Sequence, residues 1–113
     1  MNLTELLTLC KEKEASDLHL SSGFPPLLRI AGSLTKVSQD NLSRDDVKET
    51  IYSFLTEEQK ARFEKERELD LSIEPPNLGR FRVNIYSQRR GDSAAFRLIP
   101  SQIKSISALG LPR

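Results

Sequence analysis

The sequence predicts an α+β fold, a mostly antiparallel sheet with about three helices packed on one face. Segments with apolar residues at helical spacing each follow an Asn, Ser or Thr that can cap a helix. Period-2 alternation of apolar and polar residues comes both before and after the middle of the chain, as half-buried strands require. The connections between alternating runs are short and carry Gly, Pro and Asn, which suits antiparallel neighbours. A chain of 113 residues, 37% of them apolar, fits one small core.

Taken in order, Asn2 with Glu5 resembles a capping box, and Leu3, Leu6, Leu7 and Cys10 give a helical stripe to about Lys13. From Ser16 to Leu20 the period changes, with Leu18 and Leu20 alternating with Asp17 and His19. Gly23 to Pro26 reads as a turn, Leu27 to Ile30 as a second strand, and Gly32–Ser33 as a tight connection to a short third one near Leu34 to Val37. Ser43 with Asp46 opens a second helix whose buried face is Val47, Ile51, Phe54 and Leu55. Thr56 with Gln59 opens a third, running to about Glu66, with Ala61 and Phe63 as its main apolar contacts. Three alternating runs close the pattern: Leu69, Leu71 and Ile73; Phe81, Val83 and Ile85; Ala94, Phe96 and Leu98. Pro75–Asn77 joins the first two, and Arg89–Asp92 the last two. After Pro100 no clear period survives, so residues 101–113 read as a linker following a domain of residues 1–100.

Composition narrows function mainly by exclusion. A net charge of +1 gives no overall field to attract nucleic acid or an anionic membrane. The single cysteine, Cys10, leaves no disulfide within the chain and fits a reducing cytosol. No apolar run approaches the roughly 18 residues of a membrane span, and polar residues interrupt the N-terminal leucines where a signal peptide would be continuous. One His and one Cys among scattered acids give no metal-ligand spacing.

The informative stretch is GRFRVNIYSQRRGDSAAFRLIP, Gly79 to Pro100. Apolar residues of paired strands must share a face. That condition sets Val83 opposite Phe96, Phe81 opposite Leu98, and therefore Arg82 opposite Arg97. Val83 opposite Leu71 then puts Arg82 beside Ser72 and Asn84 beside Asp70. The polar face gains a cluster of Arg80, Arg82 and Arg97, although like charges directly opposed destabilise a sheet. A one-residue slip would expose Phe81, Val83 and Phe96, which costs far more. Two readings stand: ordinary solvated arginines partly neutralised by Asp70 and Glu74, or an anion site in which guanidinium forks hold phosphate or carboxylate oxygens.

Three segments resemble a known family. ASDLHLSSGFPPLLRIAGSL (Ala15–Leu34), ELDLSIE followed by GRFRVNIYSQRRG (Glu68–Gly91), and FRLIPSQIKSISALGLP (Phe96–Pro112) are similar, in order and spacing, to the N-terminal part of the type IV pilus retraction ATPases. These form the PilT-like branch of the secretion ATPase superfamily. The resemblance implies a PAS-like N-terminal domain of a cytoplasmic homohexamer that works at the inner-membrane platform of the pilus. It implies a RecA-like ATPase domain as partner, in the same subunit and in its neighbour, with ATP and magnesium held in the full-length parent. It further implies that N-terminal-domain arginines reach the nucleotide phosphates; the matching positions are Arg82 in RFRVN and Arg97 in FRLIP, with Arg80 beside them. No G-x-x-x-x-G-K-[ST] occurs in the sequence, so the chain is expected to bind nucleotide weakly or not at all and not to hydrolyse ATP alone. The end at LGLPR favours an excised N-terminal domain. A free-standing PAS-like sensor, or the same domain of a pilus-extension or type II secretion ATPase, are the alternatives.

Other polar residues invite structural roles. His19 reads as a surface or hydrogen-bonded side chain, Asp17 as a cap or an ion-pair partner of Arg29, Arg89 and Arg90 as solvated hairpin-tip residues with an intersubunit contact as the alternative, and Cys10 as core. EEQKARFEKERE reads as a solvated helix face of mixed pairing.

Overall fold

The computed structural model describes residues 2–89 and 91–99. Asn2 Oδ1 accepts from the Glu5 N–H at 3.2 Å and opens α1 (Leu3–Glu12), which buries Leu6, Leu7 and Cys10. Then come β1 (Asp17–Ser21), β2 (Leu27–Ile30) and β3 (Ser33–Lys36). The β2–β3 turn has Ile30 opposite Ser33, and its two central residues, Ala31 and Gly32, both take positive φ (51° and 86°). That combination matches the right-handed strand twist in a two-residue hairpin.

Reciprocal capping boxes, Ser43 with Asp46 and Thr56 with Gln59, open α2 (Arg44–Tyr52) and α3 (Glu57–Glu66). Only Phe63 is buried on α3; Ala61, expected to face the core, is exposed. Ala61 and Phe63 are two positions apart, about 200° around the helix, so the side that buries Phe63 turns Ala61 to solvent. Its charged face carries Lys60–Glu57 at 3.0 Å, and Arg62 pairs with Glu66 at 3.5 Å. The helix ends at Arg67 in the left-handed conformation (φ 68°), where the chain turns into β4 (Glu68–Ile73).

β5 (Arg80–Gln88) and β6 (Gly91–Ile99) run longer than the alternation suggested, because Gln88 and Gly91 close the pairing directly beneath the turn. The six strands are antiparallel throughout, in the order β3-β2-β1-β6-β5-β4. Two meanders are thus joined by the pairing of β1 with β6. One face of the sheet is apolar. Leu18, Leu20, Phe81, Val83, Ile85 and Phe96 are wholly buried there, in one cluster with Leu7 and Cys10 of α1, Val47 and Ile51 of α2, and Phe63 of α3. Phe54 meets Phe96 edge-on at 5.7 Å between ring centres. All three helices therefore cover one face, and the other is left for the polar side chains of the strands. Among the described residues no helix is long and apolar enough to cross a membrane. The expected linker, residues 101–113, lies outside the described residues.

Candidate functional site

The helix-free face is organised in rows that run across the strands. Register places Arg29 of β2, Asp17 of β1, Arg97 of β6, Arg82 of β5 and Ser72 of β4 in one row. The next row holds His19, Ala95, Asn84 and Asp70. The pairing of Arg82 with Arg97 is the one that alternation dictates. Burying Phe81, Val83 and Phe96 is worth ~1.5–3 kcal/mol per side chain, against ~0.2–1 kcal/mol for a cross-strand charge pair, so the apolar face decides the register.

Asp17, His19, Asp70, Arg82, Asn84, Ala95 and Arg97 line an open depression of about 260 Å³. Ala95 lies between the larger side chains, and its single methyl group leaves the space. Arg80 shares the face, opposite Ile99, but does not line the depression. Two larger hollows, of about 440 and 550 Å³, are poorer anion sites. The first carries Glu5, Asp40 and Asp46, and the second has Glu74 as its one charged side chain.

Sequence reasoning paired Asp17 with Arg29 but missed that the same carboxylate also stands beside Arg97. Asp17 is 4% exposed and sits directly between Arg29 and Arg97 in the register. Its Oδ2 accepts from His19 Nε2 at 2.8 Å and from Arg29 Nε at 3.3 Å. The expected Asp17–Arg29 pair is therefore present, and His19 is a hydrogen-bonded side chain. Arg97 Nε stands 3.9 Å from the other oxygen, Oδ1. That is beyond hydrogen-bond reach, and Arg97 remains 73% exposed. Asp70 is occupied otherwise, accepting from Asn84 Nδ2 at 3.2 Å. Among the described residues Arg82 makes no ion pair. Burial pushes the Asp17 carboxyl pKa up, but hydrogen bonds from Ser16, His19 and Arg29 and the charge of His19 outweigh it. The net position lies below the ordinary 3.8, so Asp17 is a carboxylate at neutral pH.

Elsewhere, burial and the Asp17 charge push the Cys10 thiol up, which leaves it an inert core group. The Tyr52 hydroxyl, partly buried and donating to Glu64 Oε2 at 2.7 Å, is pushed up to about 12. At the hairpin tip Arg89 is exposed, whereas Arg90 lies outside the described residues.

No protein-family model matches the chain. It is 40% identical over 111 residues to the type IV pilus retractation ATPase PilT of Pseudomonas aeruginosa, covering 98% of this chain and 32% of that protein. This chain is homologous to the N-terminal third of PilT. The match to PilU, a type IV pilus ATPase of the same organism, is 32% over 112 residues, covering 99% of this chain and 29% of that one. The PilT-homologous fold superimposes on the crystal structure of the pilus retraction motor PilT with bound ADP at a TM-score of 0.85. Identity there is 33%, over 99% of this chain and 33% of that one. The Legionella pneumophila ATPase DotB has the same fold (TM-score 0.73, 24% identity, 88% of this chain and 28% of that one). The PilT-homologous chain spans about a third of the length of these curated relatives.

Proposed function

We propose that this chain is the N-terminal module of a hexameric motor ATPase that powers type IV pilus retraction, with Arg82 and Arg97 meeting the phosphates of ATP. The observation that carries the proposal is the pair itself: two exposed guanidinium groups, directly opposed on a helix-free sheet face, lining one depression. The residues fit a polyanion, since each fork offers several donors in fixed geometry and their joint charge suits one phosphoryl group better than one carboxylate. Arg80, on the same face, adds charge at the edge of the site. ATP, held with magnesium by the RecA-like domain of the same or the neighbouring subunit, supplies the phosphoryl group.

In this proposal the arginines stabilise charge that builds on the phosphoryl oxygens during transfer. Because they ride on a separate module, closure of the module onto the ATPase domain completes the site. Hydrolysis removes the group they hold, so the closed state loses its advantage and the module reopens. Repeated around a cytoplasmic ring at the inner-membrane platform of the pilus, that cycle would draw pilin out of the fibre. The test is turnover in the ATPase chain that contains this module. Arg82→Ala or Arg97→Ala should each lower ATP hydrolysis roughly a hundredfold or more while circular dichroism shows an unchanged fold. Unchanged turnover in either variant removes that arginine from the site.

A further inference from the structure

The row Arg29–Asp17–Arg97–Arg82 alternates in sign until its last member. Asp17 divides its two oxygens between different tasks. Oδ2 is fully engaged by His19 and Arg29, at 2.8 and 3.3 Å, which pins the carboxylate to the β1–β2 side of the sheet. Oδ1 faces Arg97 Nε at 3.9 Å, whereas a charge-assisted hydrogen bond closes to about 2.7–2.9 Å. Arg97 is thus held by charge and not by a bond. Asp17 is 4% exposed and anchored; Arg97 is largely exposed.

We propose that Asp17 is the resident counter-anion of Arg97, and that a phosphate group entering the depression takes Arg97 from it. The proposal rests on the phosphate-site function above and adds a built-in competitor to it. With the depression empty, Asp17 relieves the repulsion between Arg97 and Arg82 and keeps the pair in place. A phosphoryl group offers several oxygens and more than one charge, so it can outbid a single carboxylate oxygen lying beyond bonding distance. When the phosphate leaves, Asp17 recaptures Arg97, which favours release. Asp70, although it lines the same depression, has no such role, because its partner is the neutral Asn84.

The experiment titrates the chain with inorganic pyrophosphate at neutral pH and low salt, following the arginine Nε–H signals by NMR. D17N should bind pyrophosphate about three- to fivefold more tightly than wild type, the scale of one partly exposed ion pair. D70N removes a charge from the same depression without freeing an arginine, and should gain clearly less. In the R97Q background the D17N gain should vanish. A D17N gain no larger than that of D70N, or one that survives R97Q, overturns the proposal. Should D17N fail to fold, wild type decides. Pyrophosphate must then shift the Asp17 side-chain carboxyl carbon along with Arg97 Nε–H, and a shift of Arg97 alone overturns the proposal. Failure of the phosphate site itself looks different: no arginine signal moves in wild type or D17N, and both proposals fall together.

Discussion

Removing one charge of the opposed pair should make the chain more stable. Arg82→Thr deletes the like-charge neighbour of Arg97 and leaves a β-branched polar residue on an exposed strand position. Directly opposed like charges destabilise a sheet by ~0.2–1 kcal/mol. The structure puts the gain in the lower half of that range, because Asp17, 3.9 Å from Arg97, already offsets part of the repulsion. About 0.5 kcal/mol corresponds to a rise in Tm of roughly 2–4 °C for a domain of this size. Arg80→Thr is the control. It makes the same chemical change on the same face of β5, but opposite Ile99. Thermal unfolding by circular dichroism at low salt should place R82T above R80T. In about 1 M salt, where the Debye length falls to roughly 3 Å, the difference should shrink by more than half. An R82T variant no more stable than R80T, or a difference indifferent to salt, would mean that the two guanidinium groups do not feel each other.

Two further substitutions probe the scaffold. Gly91 takes φ +131°, and a Cβ there would lie 2.5 Å from Ser22 Oγ and 3.1 Å from its Cβ; Gly91→Ala should cost ~2–4 kcal/mol in urea unfolding. Gly23→Ala, also at positive φ but with open space around it, should cost only about 1 kcal/mol, and equal losses would refute the close approach. Because the folded Asp17 carboxyl sits below its ordinary 3.8, its contribution to stability is complete above that pH and fades as pH falls through the folded value. D17N should therefore be less stable than wild type at neutral pH, with urea midpoints converging below about pH 3.8; a gap that stays constant to pH 3 would contradict the assigned hydrogen bonds.

How much of this the sequence could reveal depended on distance along the chain. The β4–β5–β6 register was legible to the residue, because short connections leave few alternatives and alternation selects among them. Helix starts were equally plain, since Ser43–Asp46 and Thr56–Gln59 are local chemistry. The end of α3 is another matter: Arg67 takes the left-handed conformation without the glycine that usually announces it, so only the fading helical pattern marked the boundary. The position of Asp17 was half legible. Its alternation with Leu18 and Leu20 assigned it to the polar face, but nothing local says that β1 pairs with β6. That pairing closes nearly the whole chain on itself. It is decided by how the two meanders and their helices pack, and it brings to Arg97 the carboxylate that Asp70 and Glu74 were expected to provide.

The division of labour between the two faces explains how an electrostatic conflict persists in a small domain. Register and topology are enforced from one side, by side chains each worth more than the conflict on the other. The polar face is therefore free to carry charges chosen for something besides stability. If Arg82 and Arg97 served the fold alone, neutral β-formers would serve it better, and the anchored carboxylate beside Arg97 would have no repulsion to relieve. Asp17 has four hydrogen-bonding or charged neighbours in Ser16, His19, Arg29 and Arg97, yet the contact with Arg97 is the loose one. A purely structural network would tighten its weakest link. One that must hand a guanidinium to a phosphate and take it back has reason to leave that link long.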